Sequence, residues 1–169
     1  MLAAGLPISM AAALNPPVKK SKPLPSVGDF VRFIDPTTES TVVRLTNPSS
    51  ASFLPAAGSR FISLKERFLV FSSDRTGQPA PFHLDLRTGA LRSLGTTPDL
   101  LPRSLCLDAQ GRFVYLIDGS RLKQIAVANK KIEMLAEGVS AYSLGNSATE
   151  FVVVRQGRLE HVSLRWNRY

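Results

Sequence analysis

Arg67-Phe68-Leu69-Val70-Phe71, Arg112-Phe113-Val114-Tyr115-Leu116 and Glu150-Phe151-Val152-Val153-Val154 share one hydrophobic shape. Each is a short apolar run rich in β-branched and aromatic residues, the composition of a strand buried on both faces. Their starts, at residues 67, 112 and 150, lie 45 and 38 residues apart. That period belongs to propeller blades more readily than to helical repeats. No stretch keeps a helical period with caps at both ends.

The surroundings of the runs repeat as well. A short strand precedes each one: Arg60-Phe61-Ile62-Ser63, Ser104-Leu105-Cys106-Leu107 and Ala141-Tyr142-Ser143-Leu144. Tight turns join these pairs at Lys65-Glu66, Ala109-Gln110-Gly111 and Gly145-Asn146-Ser147. Further turns follow the runs at Ser73-Asp74-Arg75-Thr76-Gly77, Asp118-Gly119-Ser120 and Gln156-Gly157. Asp, Asn and Gly tolerate the backbone angles that such hairpins need. A third, alternating strand comes next at 81–86, 122–127 and 159–164, as expected where one face is packed and the other wetter. Two units add an outer strand, Ala90–Leu94 and Ile132–Leu135, while the last stops at Trp166-Asn167-Arg168-Tyr169.

The N-terminal part supplies the end of another blade: a third strand over Asp29–Asp35, a turn at Pro36–Glu39 and an outer strand over Ser40–Thr46. The reading is therefore all-β: about three and a half four-stranded antiparallel blades of an incomplete or oligomer-completed β-propeller. The arm covers residues 1–26 and the propeller-type domain residues 27–169, with the blade end at 29–46 and blades at 59–95, 103–136 and 139–165.

Composition fits a globular domain, with 44% hydrophobic and 20% charged residues in 169. Twenty-one Lys+Arg against 13 Asp+Glu give a net charge of +8, which invites an anionic partner. Apart from Lys19, Lys20 and Lys22, the basic residues are scattered rather than gathered on one helix or interleaved with aromatics. That spacing argues against a nucleic-acid binder. Cys106 is the only cysteine, so an internal disulfide and a thiolate zinc site are excluded; its alternating surroundings suit a small packed residue better than a nucleophile.

Met1–Ala13 carries no charge and ends in Ala11-Ala12-Ala13, like the later part of a secretory signal, although the positive start of such a signal is missing and Pro7 interrupts it. Its length excludes a membrane-spanning helix. Asn15–Pro25, with four prolines and three lysines, reads as an extended linker. A periplasmic or secreted location is expected, with the cytoplasm as the alternative.

Phe71-Ser72-Ser73-Asp74-Arg75-Thr76-Gly77, followed by Leu84-Asp85-Leu86-Arg87-Thr88-Gly89, resembles the S-D-R-x-G and D-L-x-T-G signatures of the propellers of TolB and its relatives. Ile34–Glu39 with Val42-Val43-Arg44-Leu45-Thr46 is similar to the opening of the oligogalacturonate lyases, with Glu39 where that family carries Gly. The resemblance covers Val27 to Gly138. It implies a β-elimination enzyme acting on pectin-derived oligosaccharides, with manganese held in the central cavity by several histidines and a glutamine.

The residues do not supply that ligand set. His83 and His161 are the only histidines, both fall on third strands, away from a central channel, and each reads as a packed or surface imidazole. No cofactor is identified from the sequence. There is no nucleophile elbow, phosphate-binding glycine loop or zinc-protease motif. Asp74 and Arg75 are the candidate binding pair, although Asp74 as a turn-capping residue and Arg75 as an exposed one is the simpler reading. The expected function is a truncated lyase-like propeller without independent activity, binding an anionic oligosaccharide or nothing. The alternatives are a TolB-like module docking a protein of the bacterial envelope and, third, the metal-dependent lyase itself. Three and a half blades do not close a ring. The chain is then a shortened piece of a longer propeller, pairs with a second copy, or closes a strained small ring.

Overall fold

A computed structural model describes residues 30–145 and 149–163. The expected arm at 1–26, most of the turn at 145–147 and the C-terminal end lie outside the described residues. Those that are described form fourteen strands and no helix.

A two-stranded ribbon comes first, β1 (Val31–Ile34) paired antiparallel with β2 (Thr41–Arg44). The second blade contains β3 (Ser52–Phe53), β4 (Ile62–Ser63), β5 (Phe68–Ser73), β6 (Ala80–Asp85) and β7 (Leu91–Ser93). The third runs β8 (Cys106–Leu107), β9 (Phe113–Asp118), β10 (Arg121–Ala126) and β11 (Ile132–Glu137), in simple meander order. The fourth has β12 (Val139–Leu144), β13 (Glu150–Arg155) and β14 (Arg158–Ser163). Every pairing between these strands is antiparallel, and the four sheets remain separate, with no closed sheet among the described residues.

One feature of the second blade has no counterpart in the sequence pattern. β3 and β4 both pair with β5, β3 at Ser72–Ser73 and β4 at Phe68–Leu69, and the register between them slips by six residues. They are two ends of one inner strand interrupted by an excursion. Pro55 has no N–H for a ladder, and Gly58 sits at φ +87, so both residues favour leaving the sheet here.

The hydrophobic cores lie between sheets. Phe68 and Val70 of the second blade meet Val114, Leu116 and Ile125 of the third. The opposite face of the third blade, with Tyr115, Ile117 and Leu122, is covered by Val139, Phe151 and Val153 of the fourth. A smaller cluster around Leu69, Phe71 and Leu84 receives Phe30 and Leu45 from the ends of the ribbon.

These contacts correct the third repeat by one residue. The hairpins Asp118-Gly119-Ser120-Arg121 and Arg155-Gln156-Gly157-Arg158 close equivalent strand pairs, which sets the spacing at 37 rather than 38 residues. Glu150 therefore stands where Phe113 does, and Phe151 where Val114 does. A slip of one residue exchanges the two faces of a strand, so the correction decides which side chains are covered.

Three hairpins between third and outer strands share one geometry. In each, the N–H of the first residue reaches the carbonyl five residues on, and the fifth residue returns its N–H to the first carbonyl: Asp35–Ser40, Asp85–Ala90 and Ala126–Lys131. The fifth residue is left-handed each time, Glu39 at φ 54, Gly89 at φ 74 and Lys130 at φ 62. Glu39, where the resemblance expects Gly, thus adopts the backbone that Gly would. A non-glycine residue there costs about 1–2 kcal/mol, partly offset by the greater unfolded-state freedom of Gly. Lys130→Gly is expected to stabilise the protein by about 0.5–1 kcal/mol in urea unfolding. Unchanged or lower stability would show that the turn carries no such strain.

Candidate functional site

The inner strands frame a groove of about 750 Å³. Its walls are the excursion (Ala56–Ser59), the segment Leu101–Ser104 ahead of β8, and Ser140–Leu144 of β12. Successive side chains of a strand point to opposite faces, so five consecutive residues can line one groove only where the strand presents its edge. β12 ends the order of its sheet, and no strand among the described residues pairs with its outer edge. A row of backbone donors and acceptors therefore borders an apolar trough, a template for another extended chain.

The polar side chains of the trough are largely engaged within the protein. Ser104 Oγ donates to Leu101 O at 2.8 Å and accepts the Ile117 N–H at 2.8 Å. The Tyr142 hydroxyl donates to Ser104 O at 2.6 Å, tying the inner strand of the fourth blade to the third. Burial, reinforced by Cys106 and Tyr115, pushes the Tyr142 phenol well above its ordinary range, so it stays a donor. Tyr115, behind this wall, is pushed up to about 12, first by burial and then by Asp108. Cys106 is half-buried on the groove floor, and burial raises its thiol, which favours a packed neutral side chain over a thiolate nucleophile. Arg103 is the one charged residue of the lining.

The candidates from sequence lie elsewhere. Asp74 forms the turn after β5 through its main chain, its carbonyl accepting the Gly77 N–H at 2.7 Å. Arg75 is half-buried rather than exposed: its guanidinium lies 5.2 Å from the Phe82 ring centre and 5.8 Å from that of Phe71, with Nε 3.4 Å from Ser73 Oγ. Neither residue lines the groove. Asp74 thus closes the turn and Arg75 stacks on the blade.

His83 stacks on Phe68, ring centres 4.4 Å apart, while His161 is exposed on β14, two sheets away. Among the described residues no three His, Cys, Asp or Glu side chains come together. Burial, and then Arg92 opposite it on β7, lower the His83 pKa. The folded state thus holds His83 neutral while the unfolded chain takes up a proton near the ordinary value of 6.5. This contribution to stability is present above about pH 6.5 and declines as the pH falls below it. His83→Leu is expected to flatten the unfolding midpoint between about pH 7 and pH 5; an unchanged slope would remove His83 as its source.

The sequence reading missed the groove because its walls come from an excursion, a connector and a strand edge, three segments without a shared motif. The only signal was the unusual run of small residues, Ala56-Ala57-Gly58-Ser59, before the first repeat.

The arrangement of meander sheets stacked face to face is matched among solved structures. An oligogalacturonate lyase in complex with manganese superposes with a TM-score of 0.68 at 18% identity, over 76% of this chain and 36% of that one. The oligogalacturonate lyase of Vibrio parahaemolyticus gives 0.68 at 16%, over 74% and 35%. TolB from Acinetobacter baumannii gives 0.53 at 16%, over 77% and 34%. The chain shares the β-propeller blade fold of these proteins. The chain spans about a third of the length of these proteins. No family model and no curated protein matches it. No described helix of this propeller segment is long and apolar enough to cross a membrane.

Proposed function

We propose that this propeller segment is a binding module, not an enzyme, and that its inner groove docks an extended apolar segment of a protein partner. The observation that carries this reading is the open edge of β12 bordering an apolar trough. Main-chain hydrogen bonds to such an edge give affinity, and the flanking pockets give selectivity. The signal-like start of the sequence supports a place in the bacterial envelope, periplasmic or secreted.

A second reading, binding of an anionic oligosaccharide, draws on the net charge of +8 and on Arg103 at the groove. The lyase reading has no metal-ligand cluster among the described residues to support it. One titration series separates the three. A fluorescent extended peptide of alternating Val and Thr is expected to bind, and to lose binding in Ala57→Trp, which fills the groove from an exposed loop position. Salt-sensitive binding of oligogalacturonate without peptide binding would transfer the function to the saccharide. Unsaturated product released from oligogalacturonate with manganese present would establish the enzyme instead.

A further inference from the structure

The geometry points to a second interaction surface, distinct from the groove: the outward face of the fourth blade, built to be covered by the ribbon of a second copy of this chain. The corrected repeat supplies the argument. Val152, Val154 and Leu159 of the fourth blade hold the positions that Tyr115, Ile117 and Leu122 hold in the third. In the third blade all three are buried, because the fourth blade packs on them. In the fourth, Val152 is 44% and Leu159 77% exposed. The face thus repeats the pattern of an inter-blade core without the next sheet.

The ribbon is its counterpart. By the shared hairpin geometry, β1 and β2 are the third and outer strands of a blade. They expose Val31 and Phe33 from one face and Ile34 and Val43 from the other. This is sheet that wants a neighbour. Charge selects between the possible neighbours. On the face of Val31 and Phe33 the ribbon strands carry Arg44 and no acid, while Arg32 lies on the face of Ile34 and Val43. Glu150 is the only formally charged side chain of β13 and β14 on the side of Val152, since Arg155, Arg158 and Glu160 lie on the side of Phe151 and Val153. Arg44 on the ribbon and Glu150 on the fourth blade form one complementary pair that suits docking of one copy's head on the other's tail. Repeated about a two-fold axis, this heterologous contact joins two arcs in one closed ring.

The test is the mass of the whole chain by light scattering, against 18.4 kDa for one copy. A dimer is expected at about 100 µM. Leu159→Asp and Val152→Asp, at exposed positions and with the fold checked by circular dichroism, should each weaken it by about tenfold or more. Arg44→Glu should also weaken it, and adding Glu150→Lys should restore it. A wild-type monomer, an open-ended polymer, or a dimer indifferent to Leu159→Asp and Val152→Asp would each overturn the proposal.

Discussion

Replacing Asp118 with Ala is expected to destabilise the protein by about 3–5 kcal/mol. The carboxylate is buried at the end of β9, where one oxygen accepts the Asp99 N–H at 2.8 Å and the other pairs with Lys123 Nζ. Main-chain bonds run alongside, from Gly119 N–H to Asp99 O at 2.8 Å and from Leu101 N–H to Ile117 O at 2.9 Å. The carboxylate thus pins the connector that leads into the groove wall at Leu101–Ser104. Removing it orphans one backbone donor and leaves a mostly buried ammonium without its partner, since Lys123 is only 18% exposed. The second loss is the larger, because an unpaired buried charge costs more than a missing neutral hydrogen bond. Adding Lys123→Met to Asp118→Ala should therefore recover part of the loss. Urea unfolding of the three proteins reads this directly. A single mutant within about 1 kcal/mol of the parent would show that the pair is not stabilising.

Phe151→Ala is expected to cost about 3–5 kcal/mol, while Val152→Ala, one residue on, costs under about 1 kcal/mol. Phe151 is fully buried, edge-on to Tyr115 with ring centres 5.0 Å apart and tilted to Tyr142 at 6.5 Å. Its loss leaves a cavity in the core between the third and fourth blades, which the rigid strands on either side cannot collapse to fill. The pair of mutants also decides the repeat register. A spacing of 38 residues would align Val152 with Val114, which is wholly buried, and the order of the two effects would reverse.

The fold was largely legible because it is written in local terms. Hydrophobic runs such as Phe68–Phe71, with Gly and Asp at the turns between them, specify antiparallel hairpins whatever lies farther away. The register of the last unit was not legible from shape alone. Glu150-Phe151 looks like Arg112-Phe113, and only the hairpin Gln156-Gly157, which fixes Arg155 opposite Arg158, counts back to the right face. The interrupted inner strand was hidden for a similar reason: β3 and β4 are two residues each, too short to show alternation. The candidate site was less legible than the fold. Asp74 and Arg75 stood out as charged residues in a known signature, and they lie at the turn after β5, away from the groove. The groove depends on small, unremarkable residues from three distant segments, and small residues matter there for the space they leave.

The placement of the cores between sheets governs how the protein comes apart. The second and third blades are each flanked on both faces by buried clusters, with Phe68 and Val70 opposite Leu69 and Phe71 in the one and Val114 and Leu116 opposite Tyr115 and Ile117 in the other. Their strands cannot open without dissolving two cores, whereas the ribbon or β14 can detach at the expense of one. Opening is then ordered along the chain axis, as in stacked repeats where each unit is held by its neighbours. Backbone amides of β5 and β9 should exchange with solvent only when the whole arc unfolds, and those of the ribbon and the fourth blade sooner, so the molecule frays from its two ends toward its two central sheets.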